Sequence, residues 1–520
     1  MTVKRIICML LVSMMLVSVF VACNKNTEDP VGSDAETDVI GSSDVVEESE
    51  SEEQVRYDEN GFIMDNLDKH NIDLNGKQIN ILTGSERVKK IYVGADELKG
   101  VMPTAVFNRH IMVTKRLNCK LNYVTVADGY GTDSDVIKQV QAMTSEDSLD
   151  LIAIYSLTQS SLMMQGMLQD LCKSNVLELD MPWWNQSMVD SCTINDSLYF
   201  ASGDICYSLI ECAFAYLYNK ELADENKMNA YISETYGVED IYELVESGKW
   251  TYDKMIAMCK LFYENSDGTK TKDDTYAFAS HIVGIDNFYQ ASGMLLTKTG
   301  DDGSMLISAD INSAKAGKLV ADLIDFFSLP GVMCEGSNSA ALSDGTSFFD
   351  VYYGGNALFF NHQLNAADRT NKNFDEGILP SPKFDEDQTD YLCVPSNGFT
   401  IWSIARGTSS EYEDLCAVME AMASEGHRKT YSTYFNTVLS DRQESVDDYN
   451  MLQIIRKGIV LDGGRIMSAP FEEHTWQTFR KAVIQERDYL SYYENYALGI
   501  SEQAIALNSL IRNYEFIYGE

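Results

Sequence analysis

The chain lacks the short motifs that mark most enzymes. Its 520 residues hold no H-E-x-x-H, no G-x-S-x-G, no P-loop and no G-x-G-x-x-G opening a helix. Only six histidines occur, at positions 70, 110, 281, 362, 427 and 474, and no two stand four apart. Neither a metal site nor a cofactor is therefore expected. The 11 cysteines include no C-x-x-C, and once Cys8 and Cys23 are set aside an odd number remains in the body. Those remaining read as small buried hydrophobes, with a Cys206–Cys212 disulfide left open. Cations are scarce: 40 Lys and Arg stand against 79 Asp and Glu, a net charge of −39. Such a surface repels phosphate backbones, which excludes nucleic acid as a partner. The nearest calcium-like string, Asn265-Ser266-Asp267-Gly268, lacks the full ligand ladder and reads as a turn. Paired carboxylates of a glycosidase need no local motif, so that route stays open.

Long apolar runs are also missing, with one exception. Lys4 and Arg5 precede a charge-free apolar stretch from Ile6 to Ala22. At about 1.5 Å per residue it barely reaches across a ~30 Å hydrocarbon core, so it reads as a signal-peptide h-region. The run ends Phe20-Val21-Ala22-Cys23, which resembles a bacterial lipobox with Phe20 in the place usually held by Leu. That resemblance implies cleavage after residue 22 and lipidation of Cys23, with at least two acyl chains as anchor. Residues 23–56 contain no aromatic and end in an acidic run, Glu47-Glu48-Ser49-Glu50-Ser51-Glu52-Glu53. They read as a disordered, self-repelling tether. The expected location is the extracellular face of the cell membrane.

The remaining stretch of about 460 residues exceeds the size of one core, so two domains are expected. Gln78-Ile79-Asn80-Ile81-Leu82-Thr83 alternates and stops at Gly84, as a strand does. A helical pattern follows Pro103, then alternation from Cys119 to Val126, then a helix face at Val136, Ile137, Val140 and Met143. Leu149 to Tyr155 is a nearly continuous apolar run. This βαβαβ order predicts a parallel sheet covered by helices. Leu198 to Phe200, Ala213 to Tyr218, Ala357 to Phe360 and Phe399 to Ile404 read as further strands. Turns are expected at Asp267-Gly268 and at Gly300 to Gly303, and helices at Tyr412 to Ser424 and around Leu507 to Tyr514. Aromatics are plentiful, with 29 Tyr. Their rings suit packing on sugar C–H faces while keeping a polar tip.

Several strings together resemble the extracellular solute-binding proteins, family 1 type, of carbohydrate ABC importers in Gram-positive bacteria. They are Leu179-Asp180-Met181-Pro182-Trp183-Trp184-Asn185, Ser197-Leu198-Tyr199-Phe200-Ala201-Ser202-Gly203-Asp204, Tyr218-Asn219-Lys220-Glu221-Leu222, the stretch from Leu244 to Lys254, and Gly377-Ile378-Leu379-Pro380-Ser381-Pro382-Lys383. Asp196-Ser197 replaces the usual Gly-Lys and looks like a changed hairpin turn. Pro182 before Trp183-Trp184 suggests a packed turn.

The resemblance implies an α/β fold of two discontinuous lobes, periplasmic-binding-protein-like (class II), joined by a hinge. The implied lobes are 57–211 with 398–435, and 212–397 with 436–520. It also implies a non-enzymatic receptor that closes on a carbohydrate and docks on permease subunits, acting as a monomer. A surface glycoside hydrolase and a glycan-binding adhesin are the alternatives, and a peptide solute stays open. Ligands of open α/β sheets sit beyond the carboxyl ends of the strands. That rule and the implied crossings, near Tyr207 to Cys212 and Pro395 to Ile401, select the candidates. Tyr155, Tyr207 and Trp402 are expected to stack on solute. Glu86, Asp204, Glu211, Asn361 and His362 are expected to hydrogen-bond it.

Overall fold

A computed structural model of the chain describes residues 56–518 apart from 264–269, 338–339, 343, 368–371, 440–444 and 469–473. The signal peptide, Cys23, nearly all of the tether and the expected turn at Asp267-Gly268 lie outside the described residues. The strands run in chain order as β1 (Gln78–Gly84), β2 (Lys120–Val126), β3 (Leu151–Tyr155), β4 (Phe214–Asn219), β5 (Tyr276–His281) and β6 (Thr297–Thr299). After them come β7 (Met305–Ile307), β8 (Val332–Glu335), β9 (Ala357–Gln363), β10 (Glu376–Leu379) and β11 (Thr400–Ile404).

They form two main sheets, one per lobe. The first has the order β11-β3-β1-β2, with β1 parallel to β2 and β3, and β11 antiparallel to β3. The second has the order β10-β4-β9-β5-β8, with β5 parallel to β8 and β9. β4 runs antiparallel to both of its neighbours. The apolar run of β3 follows from its place: helices cover both faces, and Leu151 to Ile154 are all fully buried. β6 and β7 make a small hairpin closed by the expected turn, where the Gly300 amide donates to the Ser304 carbonyl at 2.7 Å.

Two of the chain crossings between the lobes run side by side. Ala213 bridges Pro395 antiparallel, the Ser396 amide donates to the Cys212 carbonyl at 2.8 Å, and the Thr400 amide donates to the Ser208 hydroxyl at 3.1 Å. The outgoing crossing delivers the chain to the start of β4, opposite Gln363 at the end of β9. The returning one delivers it to the start of β11, opposite Tyr155 at the end of β3. Both therefore enter at the edges where the parallel strands end.

The Trp183-Trp184 turn is packed, as its proline suggests. Both indoles are buried and donate to one carboxylate, Glu420 of the helix Tyr412–Glu425, at 2.9 and 3.0 Å. Burial pushes the Glu420 carboxyl well above the usual range. The altered turn is a hairpin turn: Ile194 bridges Ser197, and Asn195 (φ 49°) and Asp196 (φ 62°) are both left-handed. Leu198 to Phe200, expected as a strand, joins no ladder, and the adjacent Ala201 makes only a single bridge to Trp402. Nine cysteines are free thiols, Cys206 and Cys212 included, and all but Cys172 are buried. No helix among the described residues is long and apolar enough to cross a membrane.

Candidate functional site

The first sheet offers its strand ends to the hinge. Past β1, the chain turns through Ser85 and Glu86 to Arg87. Past β2 it reaches Asp128, and Gly84 is what lets Asp128 come close: a Cβ there would stand 1.7 Å from Oδ1. Asp128 Oδ2 accepts from the Tyr155 amide at 2.8 Å and from Arg87 Nε at 3.1 Å. Burial raises the Asp128 carboxyl, and the Arg87 guanidinium opposes that rise. Thus held, Arg87 lies 5.1 Å from the Tyr155 ring centre and donates to the Gly398 carbonyl of the returning crossing. Ser156 Oγ donates to the next carbonyl, Asn397, at 2.8 Å.

The second lobe presents a matching group. Beyond β5 the helix Ile285–Ala291 carries Asp286 and Gln290. The short helix Gly463–Ile466 carries Arg465, and the helix His474–Ile484 places Trp476 and Arg480 one turn apart. Asp286 receives Arg480 Nε at 2.7 Å and Arg465 at 3.3 Å. Both guanidiniums lie against the Trp476 indole, at 4.5 Å for Arg480 and 5.2 Å for Arg465. Arg465 Nε also donates to Asn397 Oδ1 at 2.8 Å. Residues 397–398 of one crossing therefore receive a guanidinium from each lobe.

Asp286, Gln290, Arg465 and Trp476 also border a cavity of about 10 Å³. Among the described residues, both polar atoms of the Gln290 side chain and Nε1 of Trp476 are buried without a hydrogen-bond partner. At one rim the lobes touch. The helix Gln186–Cys192 meets residues 461–463, with the Leu461 amide donating to Ser187 Oγ at 2.8 Å. Gly463 is pressed so close there that a Cβ would stand 2.2 Å from the Ser191 carbonyl oxygen.

The residues expected from sequence scatter across this arrangement. Glu86 is exposed and Tyr155 is half-buried, both on the cleft edge of the first sheet. The three residues of the outgoing crossing are engaged within the protein. Asp204 meets His427 Nδ1 at 2.5 Å, Tyr207 packs 5.3 Å from the Tyr434 ring, and Glu211 pairs with Lys90. Asn361 is buried in the second sheet, donating to Tyr216 at 3.2 Å. His362 packs among Phe348, Phe349 and Phe360.

The expected stacking role does not fit Trp402. Strand alternation turns it, with Ile404, towards the helix Tyr412–Glu425, where it is fully buried. Arg87, Asp128, Asp286, Gln290, Arg465, Trp476 and Arg480 were not singled out from sequence. The one local signal was Trp476 and Arg480 at i, i+4 on a helix of an otherwise acid-rich chain.

No family model matches the sequence, and no curated protein matches it. Solved structures do share the fold. One is an ABC substrate-binding protein from Listeria monocytogenes in complex with cycloalternan, 14% identical, with a TM-score of 0.51 over 82% of this chain and 98% of that one. Another is a cyclo/maltodextrin-binding protein complexed with maltotetraose, also 14% identical with a TM-score of 0.51, over 82% of this chain and 97% of that one. The chain has the two-lobed fold of these solute-binding proteins.

Proposed function

We propose that the protein is the receptor of an ABC importer, holding a carbohydrate, most simply an oligosaccharide, between its lobes and passing it to membrane permease subunits. The observation that carries this reading is the meeting of two lobes' side chains at residues 397–398, on a pair of adjacent crossings at the carboxyl ends of both sheets. A solute touching both lobes favours the closed arrangement over the open one, and that difference in affinity drives closure. Tyr155, Glu86 and the groups around Trp476 are the proposed contacts. Asp204, Tyr207 and Glu211 serve instead to brace the hinge, through His427, Tyr434 and Lys90. One structural neighbour is in complex with cycloalternan and another, a cyclo/maltodextrin-binding protein, with maltotetraose, which supports a carbohydrate as cargo. Lipid attached at Cys23 and the acidic tether would keep this receptor beside its permease by raising its local concentration.

Calorimetry and small-angle scattering of the purified protein against an oligosaccharide panel test the reading. Binding accompanied by a smaller radius of gyration is expected. Binding without compaction, or turnover of the glycan, would defeat it.

A further inference from the structure

The chain is acidic, but guanidiniums stand where its two lobes meet. The protein carries a formal charge of −39. Yet the two side chains that reach residues 397–398 from opposite lobes are both guanidiniums, Arg87 and Arg465. Each has one acidic partner among the described residues. Asp128 binds Arg87 through Nε and spends the same oxygen on the Tyr155 amide. Asp286 is one carboxylate divided between Arg465 and Arg480. The next acid, Asp462, is occupied by the amides of Leu296 and Gly464 and by the Thr297 hydroxyl. Glu86 beside Arg87 is exposed, and Lys90 and Glu211 satisfy each other. Sugar hydroxyls are served well by carboxylates and amides, and they do not require a half-buried Arg87 and a buried Arg465 converging on one crossing.

We propose that the solute is anionic: a uronate-bearing carbohydrate whose carboxylate is received by Arg87 and Arg465 as the lobes close. This rests on the carbohydrate-receptor reading above and specifies its cargo. A guanidinium offers two parallel N–H donors that match a carboxylate, which gives both strength and orientation. With Arg87 on one lobe and Arg465 on the other, one carboxylate reports closure to both. Asp286 and Trp476 act as positioning residues, fixing the planes of Arg465 and Arg480. The buried Gln290 amide and the Trp476 Nε1–H, unpartnered among the described residues, border the adjoining cavity. At about 10 Å³ that cavity, lined by second-lobe residues, has space for roughly one water.

The test is calorimetry of the purified protein against galacturonate, glucuronate and mannuronate oligomers, each beside its carboxyl-reduced neutral counterpart. At least one uronate oligomer should bind at least about tenfold tighter than its reduced form. Arg465→Gln should abolish most of that preference, and Arg87→Gln provides the same reading if the first variant fails to fold. Neutral oligomers that bind as tightly as uronates overturn the anionic cargo and leave the carbohydrate receptor standing. If neither kind binds, the receptor reading itself fails, and this one with it.

Discussion

Replacing Gly463 by alanine should hold the lobes apart while leaving each lobe intact. Gly463 belongs to the second lobe's short helix and faces the carbonyl of Ser191 in the first. The added Cβ would stand 2.2 Å from that oxygen, about 1.2 Å short of the 3.4 Å where ordinary contact begins. Its other close neighbour, the terminal methyl of Met305 at 3.0 Å, is flexible and can yield. The backbone carbonyl cannot, because its helix is held by Asn185 as N-cap and by the Ser187 and Ser191 contacts to Leu461. Overpacking of this kind costs about 1–3 kcal/mol. The cost falls on the closed arrangement alone, so it should appear as an affinity loss of about 5- to 150-fold. Calorimetry with a solute that the unmodified protein binds measures the loss, and small-angle scattering should show less compaction at saturation. Gly499→Ala is the control, since nothing lies within 4 Å of the position its Cβ would take. Affinity within twofold of the unmodified protein, with full compaction, would falsify the idea that this contact forms on closure.

Three further outcomes are expected. The folded-state pKa of Glu420 is raised above its unfolded value, so its protonated form stabilises the fold at low pH and that contribution is lost as pH rises through the folded pKa. The melting temperature of Glu420→Gln, relative to the unmodified protein, should therefore increase as pH climbs above about 4.5; a flat or falling difference would contradict the burial argument. Gly203→Ala would drive a Cβ to 2.1 Å from the Trp183 carbonyl oxygen, and should lower the unfolding free energy by about 1–3 kcal/mol in urea titration. Cys23→Ala should move the protein from the detergent phase to the aqueous phase on Triton X-114 partition, and unchanged partition would refute lipidation at that residue.

Much of the fold was legible because its signals are local. Alternation in β1 and β2, the apolar run of β3 and the periodic helix from Tyr412 each mark themselves over a few residues. β5 and β8 were not legible. They are short and buried on both sides, and such strands carry no alternation to separate them from core helix. The site divided in the same way. Glu86 and Tyr155 follow from a rule about strand ends, but Asp286 and Arg465 lie 179 residues apart and meet only through the second lobe's packing. Trp402 misled because an aromatic beside a crossing looks exposed until strand register decides which face it takes. Asp204, Tyr207 and Glu211 lie shortly before the crossing at Cys212 and Ala213, and no local pattern shows that His427, Tyr434 and Lys90 would engage them.

The placement of the five tryptophans has a spectroscopic consequence. Trp183, Trp184, Trp250 and Trp402 are fully enclosed in lobe interiors, where lobe rotation leaves their surroundings unchanged. Trp476 alone borders the cleft, with two guanidiniums against its ring and an indole N–H unpartnered among the described residues. The protein's ultraviolet emission is then a constant background from four emitters plus one that changes with the state of the cleft. Solute arrival should be readable as a change in that single component, without any dye attached.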